Sequence, residues 1–294
     1  MLRMSQPNTL RCGNQVIDLS TPVVMGIINT TPDSFYAPSR TGDSAENALD
    51  IAGKMLSEGA RILDIGGMST RPGAEEISES EEIKRVLPVI EAIHSRFPEA
   101  ILSIDTYRSE VARICLRAGA TMINDISGGQ KDPGMYHVVA ENKAPYVLMH
   151  MRGTPINMQQ RTHYENLISD LLKYFVKQIH ICRQAGIEEI IVDPGFGFAK
   201  TPEQNYQLIH HLQQFCLLNT PVLVGVSRKS TLSKTIGRPV EETLEATTAL
   251  HMAALQNGAS ILRVHDVRPA MDCISVFNQL QASNSLNNKR LSGA

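Results

Sequence analysis

The chain has 294 residues, of which 28 are Lys or Arg and 30 are Asp or Glu, giving a formal net charge of −2. A balance this close to neutral gives no electrostatic reason to expect a nucleic-acid or membrane-surface partner. The five cysteines are scattered and form no CxxC pair, which argues against a zinc or iron–sulfur site; because no signal-peptide-like apolar stretch is present either, we expect a cytoplasmic protein.

In chain order, the first patterned segment spans residues 9–19, where apolar and polar residues alternate around Gly13-Asn14. This dipeptide suits a tight turn between two strands. We therefore predict a small hairpin, within an N-terminal extension of residues 1–20, that plugs the bottom of the domain that follows.

Eight short runs rich in Val, Ile and Leu come next, and each ends in polar or charged residues. Near-continuous apolar runs are typical of strands buried on both faces of a parallel sheet. Amphipathic segments long enough for a crossover helix separate the runs. We therefore predict an α/β fold, a single (β/α)8 TIM barrel over residues 21–282, whose active site lies where the strands end. The predicted strands are 23–29, 61–67, 101–106, 121–127, 145–150, 189–195, 221–227 and 260–266.

The predicted helices lie between these strands. The first begins near Ser44, a residue type that caps helices, and a short extra helix is predicted over 230–238. Residues 283–294 are predicted to form a flexible tail because they contain few bulky apolar residues. Four glycines are expected to end helices just before a strand: Gly59, Gly119, Gly186 and Gly258. The other helices are placed at 79–97, 109–118, 133–142, 164–185, 202–215, 240–257 and 269–282.

Two long loops, 30–43 and 68–76, follow the first and second strands and are rich in Pro, Ser, Thr and Gly. Either loop alone would be interpreted as an ordinary connector. Two adjacent long loops at a barrel mouth favour lids over the site.

Three side chains that can accept hydrogen bonds end the predicted strands three, four and six: Asp105, Asn124 and Asp193. A carboxylate in a partly dry mouth must meet donors, because its uncompensated burial is costly. Any one of the three could be held by a helix N-terminus or an arginine, but three together favour a flat, donor-rich heterocycle such as an amino-pyrimidinone. The Asp-Pro-Gly-Phe-Gly-Phe segment 193–198 adds a turn that brings backbone close to a ligand, with Phe198 at its rim.

An anion site is predicted beside the heterocycle. The Ser-Arg-Lys-Ser segment 227–230 follows strand seven, and Arg263 and His265 share one side of strand eight. The loops after these two strands, with the N-terminus of a short helix, often bind phosphate in such barrels. A solvated loop is the commoner meaning of Ser-Arg-Lys alone, but its coincidence with Arg263 and His265 favours an anion.

Loop residues can complete this anion site. Asn29, at the end of strand one, offers an oxygen to a divalent cation such as Mg²⁺. Thr70 and Arg71 in the second loop can reach the anion, although a turn stabilised by Ser and Thr hydroxyls is the alternative. His150, at the end of strand five, is ambiguous and is assigned no role.

The motifs at these strand ends resemble dihydropteroate synthases, in order and one per strand, over about residues 23–267. Eight motifs that match in order are specific for the family, whereas a single one of them would not be. The motifs are Asn-Thr-Thr-Pro-Asp-Ser-Phe (29–35), Gly-Gly-Met-Ser-Thr-Arg-Pro-Gly (66–73), Ser-Ile-Asp-Thr (103–106), Ile-Asn-Asp (123–125), Leu-Met-His-Met (148–151), Asp-Pro-Gly-Phe-Gly-Phe (193–198), Gly-Val-Ser-Arg-Lys-Ser (225–230) and Arg-Val-His-Asp-Val (263–267).

The resemblance implies a transferase of folate biosynthesis that condenses 6-hydroxymethyl-7,8-dihydropterin diphosphate with p-aminobenzoate, giving 7,8-dihydropteroate and pyrophosphate. It also implies Mg²⁺ as cofactor, a homodimer, and sulfonamides as competitors of p-aminobenzoate. The implied pterin-binding residues are Asp105, Asn124, Met149, Asp193 and Lys229. The implied diphosphate-binding residues are Asn29, Thr70, Arg71, Arg263 and His265, with Asn29 also at the metal. The implied p-aminobenzoate-binding residues are Thr70, Pro72, Phe198 and Ser227. The implied catalytic residues are Asp105, Lys229, Arg263 and His265.

Two departures from the family's motifs bear on the loops. Met68 stands where Glu is common, and Tyr-Ala-Pro-Ser at 36–39 stands where Ser-Asp-Gly-Gly is frequent. They leave loop closure and sulfonamide contacts open, but not the reaction.

Two other functions are considered. A methyltetrahydrofolate–corrinoid methyltransferase would share the pterin-binding residues but needs no diphosphate site, and a non-catalytic paralogue would bind pterin without turnover. The competent residues at every anion-site position favour the synthase over both, although Met68 leaves some room for the paralogue.

Overall fold

The computed structural model describes residues 7–31, 44–69, 73 and 76–291 of the chain. Two antiparallel strands, β1 (Thr9–Cys12) and β2 (Gln15–Asp18), form the predicted hairpin ahead of an eight-stranded parallel sheet. The hairpin turns through Gly13 with φ of +58°, a backbone conformation that favours glycine.

The eight parallel strands close into a barrel, as predicted. The sheet order is β8-β7-β6-β5-β4-β3-β10-β9, and the ends meet where Val192 N donates to Pro221 O over 3.0 Å. The seventh barrel strand is shorter than its predicted run, and Gly225, which has no side chain to pack in a strand, follows it. The strands are β3 (Val23–Asn29), β4 (Ile62–Gly66), β5 (Ile101–Asp105), β6 (Met122–Asp125), β7 (Tyr146–Met149), β8 (Ile190–Asp193), β9 (Leu223–Val224) and β10 (Ile261–Val264).

Nine α-helices lie within the described residues, and each predicted helix overlaps one of them. They are α1 (Ser44–Ser57), α2 (Glu79–Arg96), α3 (Ser109–Arg117), α4 (Met135–Glu141), α5 (Leu167–Gln184), α6 (Pro202–His210), α7 (Ser230–Ile236), α8 (Leu244–Gln256) and α9 (Val267–Leu291). None of these helices is long and apolar enough to cross a membrane. All five cysteines are buried free thiols.

Several helix bounds differ from the predicted ones. α5 begins at Leu167 because the side chain of Asn166 caps it, accepting from Ser169 N. The predicted helix 202–215 ends at His210, and a 3₁₀ segment follows it. The last helix continues to Leu291, beyond the predicted end at 282, because residues 283–291 contain neither Gly nor Pro to stop it.

The hairpin seals the barrel at the N-terminal ends of its strands, as predicted. Its side chains pack on a layer of inward-facing apolar residues contributed by all eight strands. The cluster comprises Leu10, Cys12, Ile17, Leu19, Val23, Met25, Ile62, Ile101, Met122, Val147, Ile191, Leu223 and Ile261. Since side chains alternate along a strand, the residue two positions further on also faces inward. These next inward positions are largely polar: Asp64, Ser103, Asn124, Asp193 and Arg263. The fold thus places a polar layer directly above a dry, sealed one.

Candidate active site

An ion-pair cluster occupies the centre of the polar layer. Arg263 Nε lies 2.6 Å from Asp64 Oδ2, and Arg263 Nη2 lies 2.6 Å from Asp105 Oδ2. Asn124 Nδ2 also donates to Asp64 Oδ2, over 2.9 Å. The structure therefore brings three predicted site residues together around Asp64, to which the sequence analysis assigned no role. Its charge in the middle of an otherwise apolar strand, β4, was the signal available.

The charge state of these carboxylates depends on burial and on their cationic neighbours. The pKa of Asp105 is raised to about 7 as the balance of three effects: burial raises it most, the Arg263 guanidinium lowers it, and the Asp64 carboxylate raises it. Burial likewise raises the pKa of Asp193, whereas the hydrogen bond from Gly195 and the charge of Lys229 lower it. The pKa of each of these two carboxyl groups is therefore set by burial, which raises it, and by nearby cations, which lower it.

Asp193 ends β8 and begins a tight turn. Gly195 N donates to Asp193 Oδ1 over 2.7 Å, so Oδ2 is the oxygen available for a ligand. A Cβ on Gly195 would lie 2.2 Å from the carbonyl oxygen of His150, and the φ of Gly195 is +73°. Only glycine fits here, because the turn approaches the backbone of His150; its approach to a ligand stays a prediction.

A buried lysine, missed by the sequence analysis, lies beneath this turn. Lys200 is 2% exposed, and its Nζ donates to the carbonyls of Gly195 and Phe198 over 3.0 Å each. The same Nζ lies 3.3 Å from His150 Nδ1. Burial lowers the pKa of Lys200 to about 7, and the charge of Asp193 opposes this. Two carbonyl oxygens of the turn thus accept from the Lys200 amine. No local sequence pattern predicts this contact.

The turn after β8 meets the loop after β9 in the mouth. Lys229 Nζ lies 4.5 Å from the centroid of the Phe198 ring, a cation–π distance. The lysine stem passes Gly197, where an added Cβ would lie 3.5 Å from Lys229 Cδ. Two residues predicted for different substrates therefore touch.

His265 and Ser227 form a hydrogen-bonded pair on the other side of this loop. Ser227 Oγ accepts from His265 N over 3.2 Å and lies 3.2 Å from Nδ1 of the same residue. Burial, with the charges of Arg263 and Lys229, lowers the pKa of His265 to about 4, so the ring is neutral at pH 7. Because the serine oxygen already accepts from the backbone, its hydrogen can bond Nδ1 and leave Nε2–H pointing elsewhere as a donor.

Arg228 does not share the role suggested for its segment. Its Nε and Nη2 each lie 2.8 Å from the carboxylate of Asp266, and its φ is +52°. A two-pronged ion pair of this kind fixes the guanidinium in place. Within segment 227–230, Lys229 rather than Arg228 is therefore the residue whose cation contacts Phe198.

An apolar wall flanks the mouth on the side of β7. Met149, predicted to contact the pterin, is buried there, and Met68 packs against the wall. Tyr107 OH lies 3.6 Å from Met68 Sδ and donates to Glu76. The wall comprises Tyr107, Ile126, Met149, Met151, Met158, Phe198 and Ala199. The residue that departs from the family motif thus has an apolar environment that suits methionine.

Asn29, the predicted metal ligand, ends β3 beside Gly66. Asn29 Oδ1 and Asp105 Oδ2 each lie 3.8 Å from the position that a Cβ on Gly66 would take. Both oxygens therefore border one small space at the mouth. Within the described parts of the chain, no group of three or more His, Cys, Asp or Glu side chains could hold a metal ion. The predicted residues Thr70, Arg71 and Pro72, and the segment 36–39, lie outside the described residues.

Comparison with known proteins agrees with this geometry. Residues 25–265 match the family described as pterin binding enzymes. The chain is 43% identical over 270 residues to the dihydropteroate synthase of Haemophilus influenzae, covering 91% of this chain and 97% of that protein. It is 45% identical over 260 residues to that of Synechocystis, covering 87% and 89%.

Solved structures show the same relationship. A Yersinia pestis dihydropteroate synthase in a sulfonamide drug complex is similar to this chain with a TM-score of 0.88 and 41% identity, covering 93% of this chain and 99% of that one. Two structures of the Xanthomonas albilineans synthase are also similar. The one with 4-aminobenzoic acid has a TM-score of 0.88 at 40% identity, covering 94% and 98%, and the one with 7,8-dihydropteroate has 0.84 at 38%, covering 93% and 99%.

Proposed function

The chain belongs to the dihydropteroate synthases, and from this premise we propose how its barrel mouth carries out their reaction. It is a transferase that condenses 6-hydroxymethyl-7,8-dihydropterin diphosphate with p-aminobenzoate, giving 7,8-dihydropteroate and pyrophosphate. One observation gives this proposal its main support. Arg263 contacts Asp105, the predicted pterin-binding carboxyl group, and lies two residues before His265, the neutral donor proposed for the diphosphate.

The pterin would lie across the polar layer. Asp193 Oδ2 would accept from the amino and ring N–H groups of the pterin, while Gly195 holds the other oxygen. Because Asn124 donates to Asp64, its Oδ1 faces the ligand as an acceptor. Lys229 would donate to the ring carbonyl and N5, and Met149 would contact the flat face of the ring.

The diphosphate would lie against the end of β10. Arg263 has five N–H donors, of which Nε and Nη2 contact carboxylates, so the remaining ones can bind a phosphate oxygen. His265 would add its Nε2–H as a neutral donor. By resemblance, Thr70 and Arg71 of the second loop would complete the anion site.

Mg²⁺ fits this mouth as a partner of the diphosphate rather than of a protein cage. Mg²⁺ usually takes one or two protein oxygens, with phosphate oxygens and water completing its shell. Asn29 Oδ1 is the protein oxygen proposed to bind it, since Asp64 Oδ2 and Asp105 Oδ2 already contact Arg263. When bound, Mg²⁺ would neutralise charge that develops on the departing pyrophosphate.

The chemistry then needs little proton transfer by the protein. The bond between the exocyclic carbon and the diphosphate oxygen breaks, and Arg263 and His265 stabilise the charge on the leaving group. Positive charge spreads from the exocyclic carbon into the dihydropterin ring, and the Asp105 carboxylate stabilises it. The aniline nitrogen forms the new bond to carbon and loses one proton, which the departing pyrophosphate accepts. No strong base is required, because the amine is already neutral.

The p-aminobenzoate would pack beside the pterin. Phe198 would form one wall, with Thr70 and Pro72 of the second loop closing over it. Ser227 would lie at the edge of this pocket, although its hydroxyl is engaged by His265. The 4-aminobenzoic acid and sulfonamide ligands of the similar Xanthomonas and Yersinia enzymes support a pocket of this kind.

Pyrophosphate release tests the proposal. We expect release from the pterin diphosphate to require both Mg²⁺ and p-aminobenzoate, with 7,8-dihydropteroate formed in equal amount. Pterin binding without release would favour the non-catalytic paralogue, whereas methyl transfer from methyltetrahydrofolate would favour the methyltransferase.

Two broader properties are also proposed. Five free, buried cysteines fit a reducing cytoplasm. The homodimer follows from the family resemblance, and light scattering of the purified protein would show a mass of two chains.

A further inference from the structure

Asn205 lies on α6, outside every motif that the sequence analysis identified. It is 1% exposed, and both ends of its side-chain amide are bonded. Oδ1 accepts from Gly197 N over 2.7 Å, and Nδ2 donates to Thr231 Oγ1 over 3.1 Å. A buried amide thus connects the turn after β8 to the start of α7.

Each end of this bridge holds a neighbour of a proposed substrate-binding residue. Gly197 directly precedes Phe198, and Thr231 follows Lys229 by two positions. The ammonium of Lys229 lies 4.5 Å from the centroid of the Phe198 ring. The side chain of Asn205 therefore spans the two segments whose tips meet over the mouth.

The helix that carries Asn205 is itself firmly anchored. The side chain of Thr201 caps α6 by accepting from Gln204 N, and Gln204 Oε1 accepts from Thr201 N in return. Gln204 Nε2 also donates to Thr162 O over 2.8 Å. Such a reciprocal cap fixes the first turn of a helix, and Asn205 is the next residue. The bridge is therefore built on a rigid element.

We propose that Asn205 is a positioning residue for the transfer reaction. By holding Gly197 and Thr231, it sets the distance between Phe198 and Lys229, and hence the alignment of the aniline nitrogen with the exocyclic carbon of the pterin. This role rests on the proposed function, because it assigns the two substrates to those two side chains. Loss of Asn205 should therefore lower kcat rather than raise KM, since each substrate keeps its own binding contacts.

The test uses the full-length protein and three variants. Asn205→Ala removes both hydrogen bonds, and Thr231→Val removes only the acceptor for Nδ2. Asn142→Ala is the control for the loss of an asparagine side chain, because Asn142 lies outside the proposed site and its Nδ2 donates to Val138 O over 2.8 Å at the C-terminal end of α4. We measure kcat, the KM for each substrate, the thermal midpoint, and hydrogen–deuterium exchange of segment 194–201.

We expect Asn205→Ala to lower kcat about 10- to 100-fold, as misalignment of reacting groups does, with less than a threefold change in KM for the pterin diphosphate. Thr231→Val should lower kcat in the same manner but less, and it keeps the proposal testable if Asn205→Ala fails to fold. Exchange of the Gly197 amide should increase in Asn205→Ala and stay slow in Thr231→Val. Asn142→Ala should leave kcat within twofold of the wild type.

Three results would overturn the proposal. One is a kcat within twofold of the wild type in both bridge variants, and another is a loss of kcat in Asn142→Ala equal to that in Asn205→Ala at the same thermal midpoint. The third is unchanged exchange at Gly197 in Asn205→Ala. The exchange measurement needs no substrate, so it tests the bridge even if the wild-type protein makes no dihydropteroate, a result that would refute the proposed function instead.

Discussion

Arg263 Nη2 and Asp105 Oδ2 lie 2.6 Å apart at the centre of the barrel, and Nε of the same guanidinium lies 2.6 Å from Asp64. One arginine thus contacts two carboxyl groups that approach it from strands β4 and β5. The pair links stability to function, because the residue proposed to bind the diphosphate also holds the polar layer together.

Arg263→Met is expected to destabilise the fold as well as abolish activity. The change leaves two buried carboxylates without their cation, and breaking a buried pair in this way typically costs about 3–5 kcal/mol. Urea denaturation would measure the loss. Arg11→Met is the control, because its pair with Glu188 is exposed (side chains 52% and 77%) and should contribute at most about 1 kcal/mol. Equal losses in both variants would contradict the central role of Arg263.

Asp193→Asn is expected to weaken pterin binding while leaving the turn intact. The asparagine Oδ1 can still accept from Gly195 N, but its amide presents a donor to the donors of the pterin. A lost charged hydrogen bond of this kind costs roughly 1.5–3 kcal/mol, or about 10- to 150-fold in affinity. Titration calorimetry with the pterin would measure it. An unchanged affinity would show that Asp193 does not recognise the ring.

Phe198→Leu is expected to raise the KM for p-aminobenzoate and spare the pterin. The ring is 7% exposed and contacts the ammonium of Lys229, so its removal loses both a flat wall and a cation–π contact. Aromatic contacts contribute about 0.5–1.5 kcal/mol, which predicts roughly a 2- to 13-fold rise. Steady-state kinetics with each substrate varied in turn would separate the two values of KM. A larger rise for the pterin diphosphate would place the ring in the other pocket.

The buried His251 should make the fold less stable in acid. Burial lowers the pKa of His251 to about 4, against the weaker effect of Asp266, so between pH 6.5 and 4 the unfolded state binds more protons than the folded one. The free energy of unfolding therefore falls as the pH drops through this window. His251→Leu should remove about 1–3 kcal/mol of that fall.

The variant should also be no less stable at pH 7, because neither ring nitrogen of His251 has a partner among the described residues. Denaturation at several pH values from 7 to 4 would show this, with the exposed His180→Leu as the control. An identical pH dependence in His251→Leu and the wild type would mean that this histidine does not contribute.

Much of the fold could be predicted because it depends on local patterns. The eight apolar runs predict strands buried on both faces, and period-two alternation places Asp64, Asn124, Asp193 and Arg263 on the inner side. Gly13-Asn14 predicts the hairpin turn. These features need only the backbone geometry of a strand and the avoidance of water by apolar side chains.

The partners of the polar side chains were decided only by the tertiary structure. Arg263 pairs with Asp105, 158 residues away, Ser227 bonds His265, and Asn205 joins Gly197 to Thr231. Lys200 folds back beneath its own turn to bond two backbone carbonyls. A sequence pattern determines which side of a strand or helix a residue occupies. Which donor meets which acceptor depends on how far apart the closed barrel holds the strands and loops, and on the requirement that each buried charge find a partner.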